Sequence, residues 1–287
     1  MNYRHAFHAG NFADVHKHAV LARVLLHLRR KPAAFRVIDT HAGGGRYDLF
    51  AAEPTRSGEW RQGIGRLWQS GRSNKLDALL APYLEAVAAL NPDGELRSYP
   101  GSPLIVRHLL RAQDRLTACE LEPTAAAALA ATLRGDRRAK ALTIDGWTAL
   151  NAYVPPRERR GLVLIDPPFE DAAEFARLAA ALGNAHRKWP TGIYMLWYPI
   201  TDRAAPDALA RRLERLAVPK LLRCELTLRP PRAVAGLAGS GLILVNPPYP
   251  LEAELRTLMP ALVRALALAD EAAARVEWLA DESPRPR

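Results

Sequence analysis

Residues Gly161 to Glu170 read GLVLIDPPFE, an apolar run that ends in an acid, two prolines and an aromatic residue. The run from Leu162 to Ile165 is short and contains β-branched residues, which predicts a strand that is buried on both faces. Asp166 follows the carboxyl end of this strand, and ligands bind along that edge of open α/β sheets. The sequence therefore predicts an α/β fold with a candidate site at Asp166.

An acid followed by two prolines and an aromatic ring suits methyl transfer to the exocyclic amine of a nucleobase. A carboxylate oxygen and a nearby backbone carbonyl can both accept hydrogen bonds from the N6 amino group of adenine, which draws its nitrogen out of conjugation with the ring. Pro167 and Pro168 stiffen the turn because their φ angles are fixed, and Phe169 offers a flat face on which an extruded base can stack. The alternative for these four residues is an ordinary turn with an exposed phenylalanine.

A second copy of the pattern, GLILVNPPY, runs from Gly241 to Tyr249. The segment 218–228 reads as a strand, and the loop 229–240 that follows it has no helical pattern. Two strands joined without a crossover helix are most simply antiparallel. If the first of them is parallel to the rest of the sheet, Asn246 emerges at the edge opposite Asp166. We therefore assign the chemistry to Asp166 and a structural turn to Asn246.

The composition indicates one α/β domain with an insertion. The chain has 287 residues, of which 49% are apolar and 24% charged, enough to bury a sizeable core. No apolar run approaches the length of a membrane span, and the start has no signal-peptide core, so we expect a cytoplasmic protein without a membrane partner. Cys119 and Cys224 lie in apolar, strand-like runs, which is typical of reduced core thiols.

The charge of the chain favours a polyanionic partner. The net charge is +10 and the pI is near 10.0, which points to nucleic acid and to binding that weakens with salt. Residues 1–36 hold seven Arg and Lys residues against Asp14 alone, so we expect this segment to bind RNA. It also holds four histidines, His5, His8, His16 and His18, but no matching carboxylate or cysteine set stands beside them, and we expect no metal site.

The segment between the first strand and the next helix is an insertion. A helix is predicted for 13–30 and the first strand for 35–38, followed by the glycine-rich loop Asp39 to Gly45, whose acid could reach a ligand amine. Residues 46–99 contain helical segments of their own and form an insertion in the predicted α/β domain, which comprises 1–45 and 100–287. Ser102, followed by a proline, predicts a helix that starts with a capping hydroxyl and whose N-terminus faces the ligand.

Two further acids follow predicted strands. Glu120 ends the strand at 116–119 and can accept both hydroxyls of a ribose. Asp145 and Gly146 follow the strand at 141–144, where a carboxylate can accept from the amino group of an adenine. Trp197 and Tyr198, in the strand 192–198, are wall or core residues. A helical pattern runs from 251 to about 274, and we expect 281–287 to be disordered.

Assembled, these stretches resemble the RlmJ family of bacterial 23S ribosomal RNA adenine-N6 methyltransferases. The similarity covers nearly the whole chain and is most specific at its start. The matching stretches are YRHAFHAGNFADVHKH at 3–18, DTHAGGGRY at 39–47, YPGSPLI at 99–105, IDPPF at 165–169, TGIYMLWYP at 191–199 and SGLILVNPPY at 240–249.

The resemblance implies a class I, Rossmann-like fold that depends on S-adenosylmethionine, with a mixed, mostly parallel, seven-stranded sheet and a small helical insertion. It implies 23S ribosomal RNA as partner, a monomer, and Asp166 as the catalytic acceptor for N6. It further implies a cofactor site and a target-adenosine site, whose members are His18, His41, Ser102, Glu120, Asp145 and Gly146 for the cofactor, and Tyr3, His5, Lys17, Pro167 and Phe169 for the target. Phe169 stands where tyrosine is common in this motif, which keeps stacking but loses a hydroxyl.

Two other functions stay open at the level of sequence. A DNA adenine-N6 methyltransferase would act on the same base, although the chain shows no separate domain for reading a DNA sequence. A non-catalytic RNA-binding or assembly factor on a methyltransferase scaffold would need neither Asp166 nor an intact cofactor loop. Both features favour the enzyme that acts on RNA.

Overall fold

The computed structural model describes residues 5–69, 74–171, 173–231 and 236–281. Its strands are β1 (Arg36–Asp39), β2 (Arg46–Asp48), β3 (Ser98–Pro100), β4 (Arg115–Glu120), β5 (Ala139–Thr143), β6 (Gly161–Ile165), β7 (Ile193–Ile200), β8 (Leu221–Thr227), β9 (Gly239–Val245) and β10 (Ala273–Ala280). The helices of four or more residues are α1 (Phe12–Arg29), α2 (Ala52–Ser57), α3 (Glu59–Gln62), α4 (Ile64–Gln69), α5 (Asn74–Ala88), α6 (Ser102–Leu109), α7 (Pro123–Leu133), α8 (Gly146–Tyr153), α9 (Glu174–Lys188), α10 (Ala204–Arg215) and α11 (Leu251–Leu266).

The main sheet has the order β10-β8-β9-β7-β6-β1-β4-β5. The strands from β7 to β5 in this order are all parallel, as expected where crossover helices connect apolar strands. All five residues of β6 are buried, so the strand predicted before Asp166 is confirmed and lies in the middle of the sheet. The predicted α/β fold with a mixed, mostly parallel sheet is therefore confirmed.

The sheet has eight strands instead of the expected seven, because the C-terminal segment forms β10. The helical pattern predicted from 251 to about 274 is wrong beyond Leu266, where α11 ends. Residues Ala273 to Ala280 instead pair antiparallel with β8. Pairing with an otherwise open edge outweighs the helix propensity of the alanines. The disorder expected from 281 onward falls mainly on residues outside the described part of the chain.

The prediction about the second proline motif is confirmed. β9 runs antiparallel to both β7 and β8, so Asn246 emerges at the edge opposite Asp166. Its side-chain amide donates to the carbonyls of Pro190 and Gly192, both at 2.8 Å. Asn246 thus ties a turn to the start of β7, which is a structural role.

The insertion is bounded by a small antiparallel pair, β2 and β3, which the sequence did not predict. Between these strands lie α2 to α5, and α5 packs against α1, α6 and α11. The inserted segment therefore rests on the helical layer that covers one face of the main sheet. In the described part of the chain, none of the helices is long and apolar enough to cross a membrane.

The start of α6 differs from the prediction. Gly101 is the N-cap and makes no side-chain cap, while Ser102 is already helical. The Ser102 hydroxyl donates to Oδ2 of Asp39 at 2.7 Å, so it joins α6 to the end of β1 instead of capping the helix. The expected position of Cys119 and Cys224 is confirmed, since both are buried free thiols in strands.

Candidate active site

Asp166 lies at the carboxyl end of β6, where it meets a buried lysine. Lys17 Nζ donates to Oδ2 of Asp166 at 2.5 Å and lies 3.0 Å from Oδ1 of Asp14, one turn earlier in α1. The exposed fractions are 5% for Lys17, 2% for Asp14 and 13% for Asp166. Among the described residues, Oδ1 of Asp166 has no hydrogen-bond partner, which leaves one carboxylate oxygen available to a ligand.

The charges in this cluster stabilise each other. Burial disfavours the ammonium, but Asp14 and Asp166 outweigh it and hold the pKa of Lys17 above its usual value. Burial also disfavours the Asp14 carboxylate, yet Lys17 and His5 hold the pKa of Asp14 well below its usual value. Asp14 further accepts from His5 Nε2 at 3.1 Å and from the Gly10 amide at 2.9 Å. The cluster therefore fixes a cation beside Asp166.

Phe169 has a strained backbone. Its φ angle is 51°, a left-handed conformation that is unusual for a bulky residue. Glu174 at the start of α9 accepts a hydrogen bond from the Phe169 amide at 2.6 Å, and the ring packs 4.7 Å from Phe175 and 5.7 Å from Trp197 between centroids. These contacts hold the ring beside Asp166 despite the strain.

Two cavities meet at Asp166. The first, of about 360 Å³, follows the ends of β1, β4 and β5. The second, of about 510 Å³, opens towards α3 of the insertion and the loop after β8. The residues that line both are His5, Lys17, Asp166 and Pro168. We call the first cavity the cofactor cavity and the second the target cavity, after the two ligands that the sequence predicts.

Glu120 is a fixed acceptor in the cofactor cavity. Its Oε2 accepts from the Gly43 amide at 2.8 Å, and its Oε1 accepts from the amides of Leu121 and Glu122 at 2.8 and 2.9 Å. Three backbone donors therefore orient this carboxylate. A ribose fits here because its two hydroxyls donate to a carboxylate at the end of a strand.

Two apolar residues in the same cavity were not predicted. Leu121 is 45% exposed although it is large and apolar, and the ring of Trp147 lies 5.3 Å from that of His41 between centroids. Both line the cavity. Leu121 directly follows Glu120, and Trp147 directly follows Asp145-Gly146. Their positions next to predicted hydrogen-bond acceptors could have identified them from the sequence.

The histidines predicted for the cofactor line the same cavity and are neutral at physiological pH. Burial lowers the pKa of His18 to about 3 and that of His41 to about 4. His18 Nδ1 bonds the Tyr99 hydroxyl at 2.8 Å, while its buried Nε2 finds no hydrogen-bond partner among the described residues. The nearest carboxylate oxygen, on Asp14, is 3.9 Å away, beyond hydrogen-bond distance. This nitrogen is available to a bound ligand.

Asp145 and Gly146 also line the cofactor cavity. Oδ2 of Asp145 caps α8 by accepting from the Thr148 amide at 2.8 Å. A Cβ atom at Gly146 would lie 2.2 Å from the Thr40 carbonyl oxygen, so only glycine allows α8 to start this close to the end of β1. Ser102 lines the cavity as well, although its hydroxyl is engaged by Asp39.

Asp39 does not take the role expected for the acid of the glycine loop. It is fully buried and does not line either cavity, so it does not reach a ligand amine. Burial raises the pKa of Asp39 to about 7 despite the hydrogen bond from Ser102. Its position inside the domain makes it a link between β1 and α6.

The target cavity has an aromatic wall that a buried network holds in place. The Trp197 indole donates to the Ser240 hydroxyl at 2.9 Å, and His16 Nδ1 bonds the same hydroxyl at 2.9 Å. Burial lowers the pKa of His16 to about 3, so it is neutral. Of the two residues that the sequence left open as wall or core, Trp197 is therefore wall, and Tyr198 is core with its hydroxyl on Glu225 at 2.8 Å.

Arg229 is a basic residue of the target cavity that the sequence did not predict. It donates to the Leu237 carbonyl at 2.9 Å, and its buried Nε has no hydrogen-bond partner in the part of the chain that the structure describes. It lines the cavity, and no carboxylate among the described residues lies within ion-pair distance of it. Its charge is therefore available to an anion.

Of the residues predicted for the target, His5, Lys17 and Phe169 line the target cavity. Pro167 is buried and lines neither cavity, whereas Pro168 lines both. Tyr3 lies outside the described residues. Glu59 and Gln62 of α3 also line the target cavity, so the insertion contributes to the site. Within the described ranges, no group of three His, Cys, Asp or Glu side chains could hold a metal ion.

Comparison with known proteins gives one consistent result. Residues 32–280 match the family model described as "Ribosomal RNA large subunit methyltransferase D, RlmJ". The chain is 40% identical to "Ribosomal RNA large subunit methyltransferase J" of Escherichia coli and 38% identical to the protein of the same name from Haemophilus influenzae, in each case over 98% of this chain and 100% of the relative. A solved structure of a Legionella pneumophila protein, 34% identical, superposes with a TM-score of 0.85 over 94% of this chain and 98% of that one.

Proposed function

The chain belongs to the RlmJ family of large-subunit ribosomal RNA methyltransferases, and we propose that it methylates the N6 amino group of an adenosine in 23S ribosomal RNA with S-adenosylmethionine as methyl donor. The observation that supports this most directly is the position of Asp166 between two cavities. One carboxylate oxygen is held by Lys17, and the other has no partner among the described residues. A base in the target cavity and a cofactor in the neighbouring cavity would meet at this group.

The cofactor cavity fits S-adenosylmethionine on three grounds. Glu120 offers a carboxylate, fixed by three backbone amides, to the ribose hydroxyls. Leu121 and Trp147 provide apolar surface for the adenine ring. The unpartnered Nε2 of His18, with the backbone near Gly101 at the start of α6, is available to the amino-acid portion. His41, Ser102, Asp145 and Gly146 complete the proposed cofactor site.

When bound, S-adenosylmethionine would supply an electrophilic methyl group, whose bond to N6 forms as its bond to sulfur breaks, so that the neutral thioether S-adenosylhomocysteine leaves. Asp166 accepts a hydrogen bond from the amino group through Oδ1, which favours a tetrahedral nitrogen whose lone pair is free to react. Lys17 orients the carboxylate by donating a hydrogen bond to Oδ2. The positive charge that develops on N6 during transfer would lie beside the carboxylate, which stabilises it until N6 loses a proton to water.

The target cavity fits an extruded nucleotide. Phe169 and Trp197 form an aromatic wall on which a base can stack, and Pro168 lies at the junction with the cofactor cavity. Arg229 provides a cation without a carboxylate partner among the described residues, suited to a phosphate of the extruded nucleotide. His5 and Tyr3 belong to the proposed target site through the family resemblance.

The two rival functions make different demands. A DNA adenine methyltransferase would share the chemistry of Asp166, but the described part of the chain holds no separate domain of the size that reads DNA sequence. A non-catalytic RNA-binding protein would need neither an Asp166 side chain oriented by a buried lysine nor a fixed Glu120. Both observations favour an enzyme that acts on RNA.

The direct test is transfer of labelled methyl from S-adenosylmethionine to unmodified ribosomal RNA, with duplex DNA in parallel, followed by nucleoside analysis. We expect label in N6-methyladenosine from RNA alone. Label from DNA alone would identify the DNA enzyme instead. No label in either polymer, from protein that binds the cofactor, would favour the non-catalytic function.

The two proline motifs provide a matched pair of variants. Phe169→Ala removes the ring beside Asp166 and should lower the affinity for the target base by about fivefold to about 150-fold, since stacking of one base is worth about 1–3 kcal/mol. Tyr249→Ala removes an aromatic ring that is 99% exposed at the opposite edge and should leave transfer unchanged. The measurement is KM for RNA with each variant. Equal losses in both variants would contradict the assignment of the target cavity.

A further inference from the structure

Most of the excess positive charge lies at the edge of the sheet opposite Asp166. The parallel strands β1, β4, β5 and β6 start in register, so the segments that precede them meet at one edge. Together these segments contain twelve Arg and Lys residues against three acids, an excess that approaches the net charge of +10 of the whole chain. We call them the basic face, which comprises residues 29–36, 111–115, 134–138 and 157–160.

Hydrogen bonds join the four segments into one surface. The Arg111 guanidinium donates to the carbonyls of Arg29 and Lys31 at 3.2 and 2.8 Å. The Arg36 amide donates to the Arg160 carbonyl at 2.9 Å, and the Leu116 amide at the start of β4 donates to the Arg138 carbonyl at 2.8 Å. The basic face is therefore continuous and is held by backbone contacts across four strands.

The acids of the basic face are already paired. Asp114 bonds Arg111 at 2.8 Å, Asp136 bonds Arg138 at 2.7 Å, and Glu158 bonds Arg36 at 2.8 Å. The other nine cations form no ion pair with any described residue. They include side chains exposed to solvent, on three different segments, at Arg30, Arg137 and Arg157. So much like charge on one surface is unfavourable unless an anion neutralises it.

We propose that the basic face binds the sugar-phosphate backbone of ribosomal RNA at a position remote from the target adenosine. This rests on the proposed function for its choice of polyanion. The five residues of β6 separate the basic face from Asp166, a distance of roughly 17 Å at about 3.3 Å per residue. An RNA strand that enters the target cavity reaches the basic face only by passing around the domain. The partner is therefore a folded RNA, in which one segment enters the target cavity and a second segment lies on the basic face.

The test neutralises one exposed arginine on each of three segments, as Arg30→Gln, Arg137→Gln and Arg157→Gln together. None of these three exposed side chains forms a hydrogen bond or an ion pair with a described residue, so the variant should fold normally, which thermal unfolding checks. The matched control is Arg211→Gln, Arg212→Gln and Arg215→Gln on α10, which removes the same charge from exposed positions. The probes are unmodified 23S ribosomal RNA and a short single-stranded RNA that contains adenosine.

We expect the slope of log K against log salt for 23S ribosomal RNA to decrease by about 3 in the triple variant, one for each lost phosphate contact. Its affinity should fall by more than about tenfold at ~0.1 M salt. Binding of the short RNA should stay unchanged, and the control should retain the slope of the natural protein. Equal slopes and affinities in variant and control would overturn the proposal.

The same experiment separates the proposal from its rivals. Vesicles that contain phosphatidylserine test a lipid surface, and a variant that lost vesicle binding but kept binding to ribosomal RNA would reject RNA as the partner. Binding is measured without cofactor, so it does not depend on methyl transfer. If the natural protein transferred no methyl but the variant still lost affinity, the proposed function would fail and the basic face would stand.

Discussion

Asp166→Ala is expected to reduce methyl transfer to RNA by at least about a hundredfold to a thousandfold, the loss typical of removing one group that stabilises charge in a transition state. The variant removes the proposed acceptor for N6 and leaves Lys17 paired with Asp14, 3.0 Å away, so the fold should persist. Asp166→Asn keeps an oxygen that can accept one hydrogen bond and should lie between the natural protein and the alanine variant. Single-turnover rates at saturating cofactor measure the effect.

The role of Asp166 also predicts what does not change. RNA affinity should stay within about twofold of that of the natural protein, because the aromatic wall, Arg229 and the basic face are untouched. Binding of S-adenosylmethionine should likewise persist, since Glu120 and His18 remain in place. A folded Asp166→Ala variant that lost RNA affinity together with activity would show that Asp166 acts in binding, which contradicts the assigned role.

The strand ends were predictable from the sequence because each has a local signal. An apolar run followed by an acid places Asp166, Glu120 and Asp145 at the same edge once the strands are parallel. The antiparallel course of β9 followed from a loop without a helical pattern. These predictions needed only short-range patterns and rules of connection.

The contacts within the site were not predictable in the same way. Lys17 and Asp166 are separated by 149 positions, and only the family resemblance placed the lysine near the target. Arg229 lies in a loop without a motif. The helical pattern after Leu266 failed because alanine favours a helix, while the open edge of β8 provided backbone hydrogen bonds that a short sequence window does not show.

In the N-terminal segment, residues 1–36, the location of each cation is more informative than the net charge. α1 has 18 residues and is about 27 Å long at 1.5 Å per residue. Lys17 therefore lies at the edge of the sheet that holds Asp166, and Arg29 lies at the opposite edge. Arg23, between them, is paired with Glu254 at 2.7 Å. The sequence predicted a single RNA-binding segment, but its cations lie in two places. Lys17 lies beside Asp166, and the cations of residues 29–36 lie on the basic face.

Lys17→Met is expected to lower both activity and stability, because it leaves two carboxylates without their cation. Breaking a buried ion pair by removing one partner typically costs about 3–5 kcal/mol, and Asp14 is only 2% exposed. Activity should fall as well, since Asp166 loses the donor that orients it. Urea denaturation measures the free energy of unfolding, with an unchanged m-value as the sign that the folded state is intact.

The double variant Lys17→Met with Asp14→Asn separates these two effects. The neutral amide removes the uncompensated charge at position 14 and still has an oxygen for the Gly10 amide, which donates to Asp14 at 2.9 Å in the natural protein. Stability should recover by more than half of the loss. Activity should not recover, because no cation faces Asp166. Recovery of activity in the double variant would show that Lys17 acts only through folding.

The cluster of Asp14, Lys17 and Asp166 also predicts the direction in which stability changes with pH. In the natural protein the pKa of Asp14 is held well below its usual value by Lys17 and His5 despite burial, so its contribution is complete above the unfolded pKa of about 3.9 and is lost as pH falls through the lower folded pKa. Without Lys17, burial dominates and the folded pKa of Asp14 rises. The free energy of unfolding of Lys17→Met, measured relative to that of the double variant, should therefore increase as pH falls towards the unfolded pKa of Asp14. The double variant is the reference because position 14 no longer titrates in it, whereas Asp39, His16 and His18 titrate in both variants.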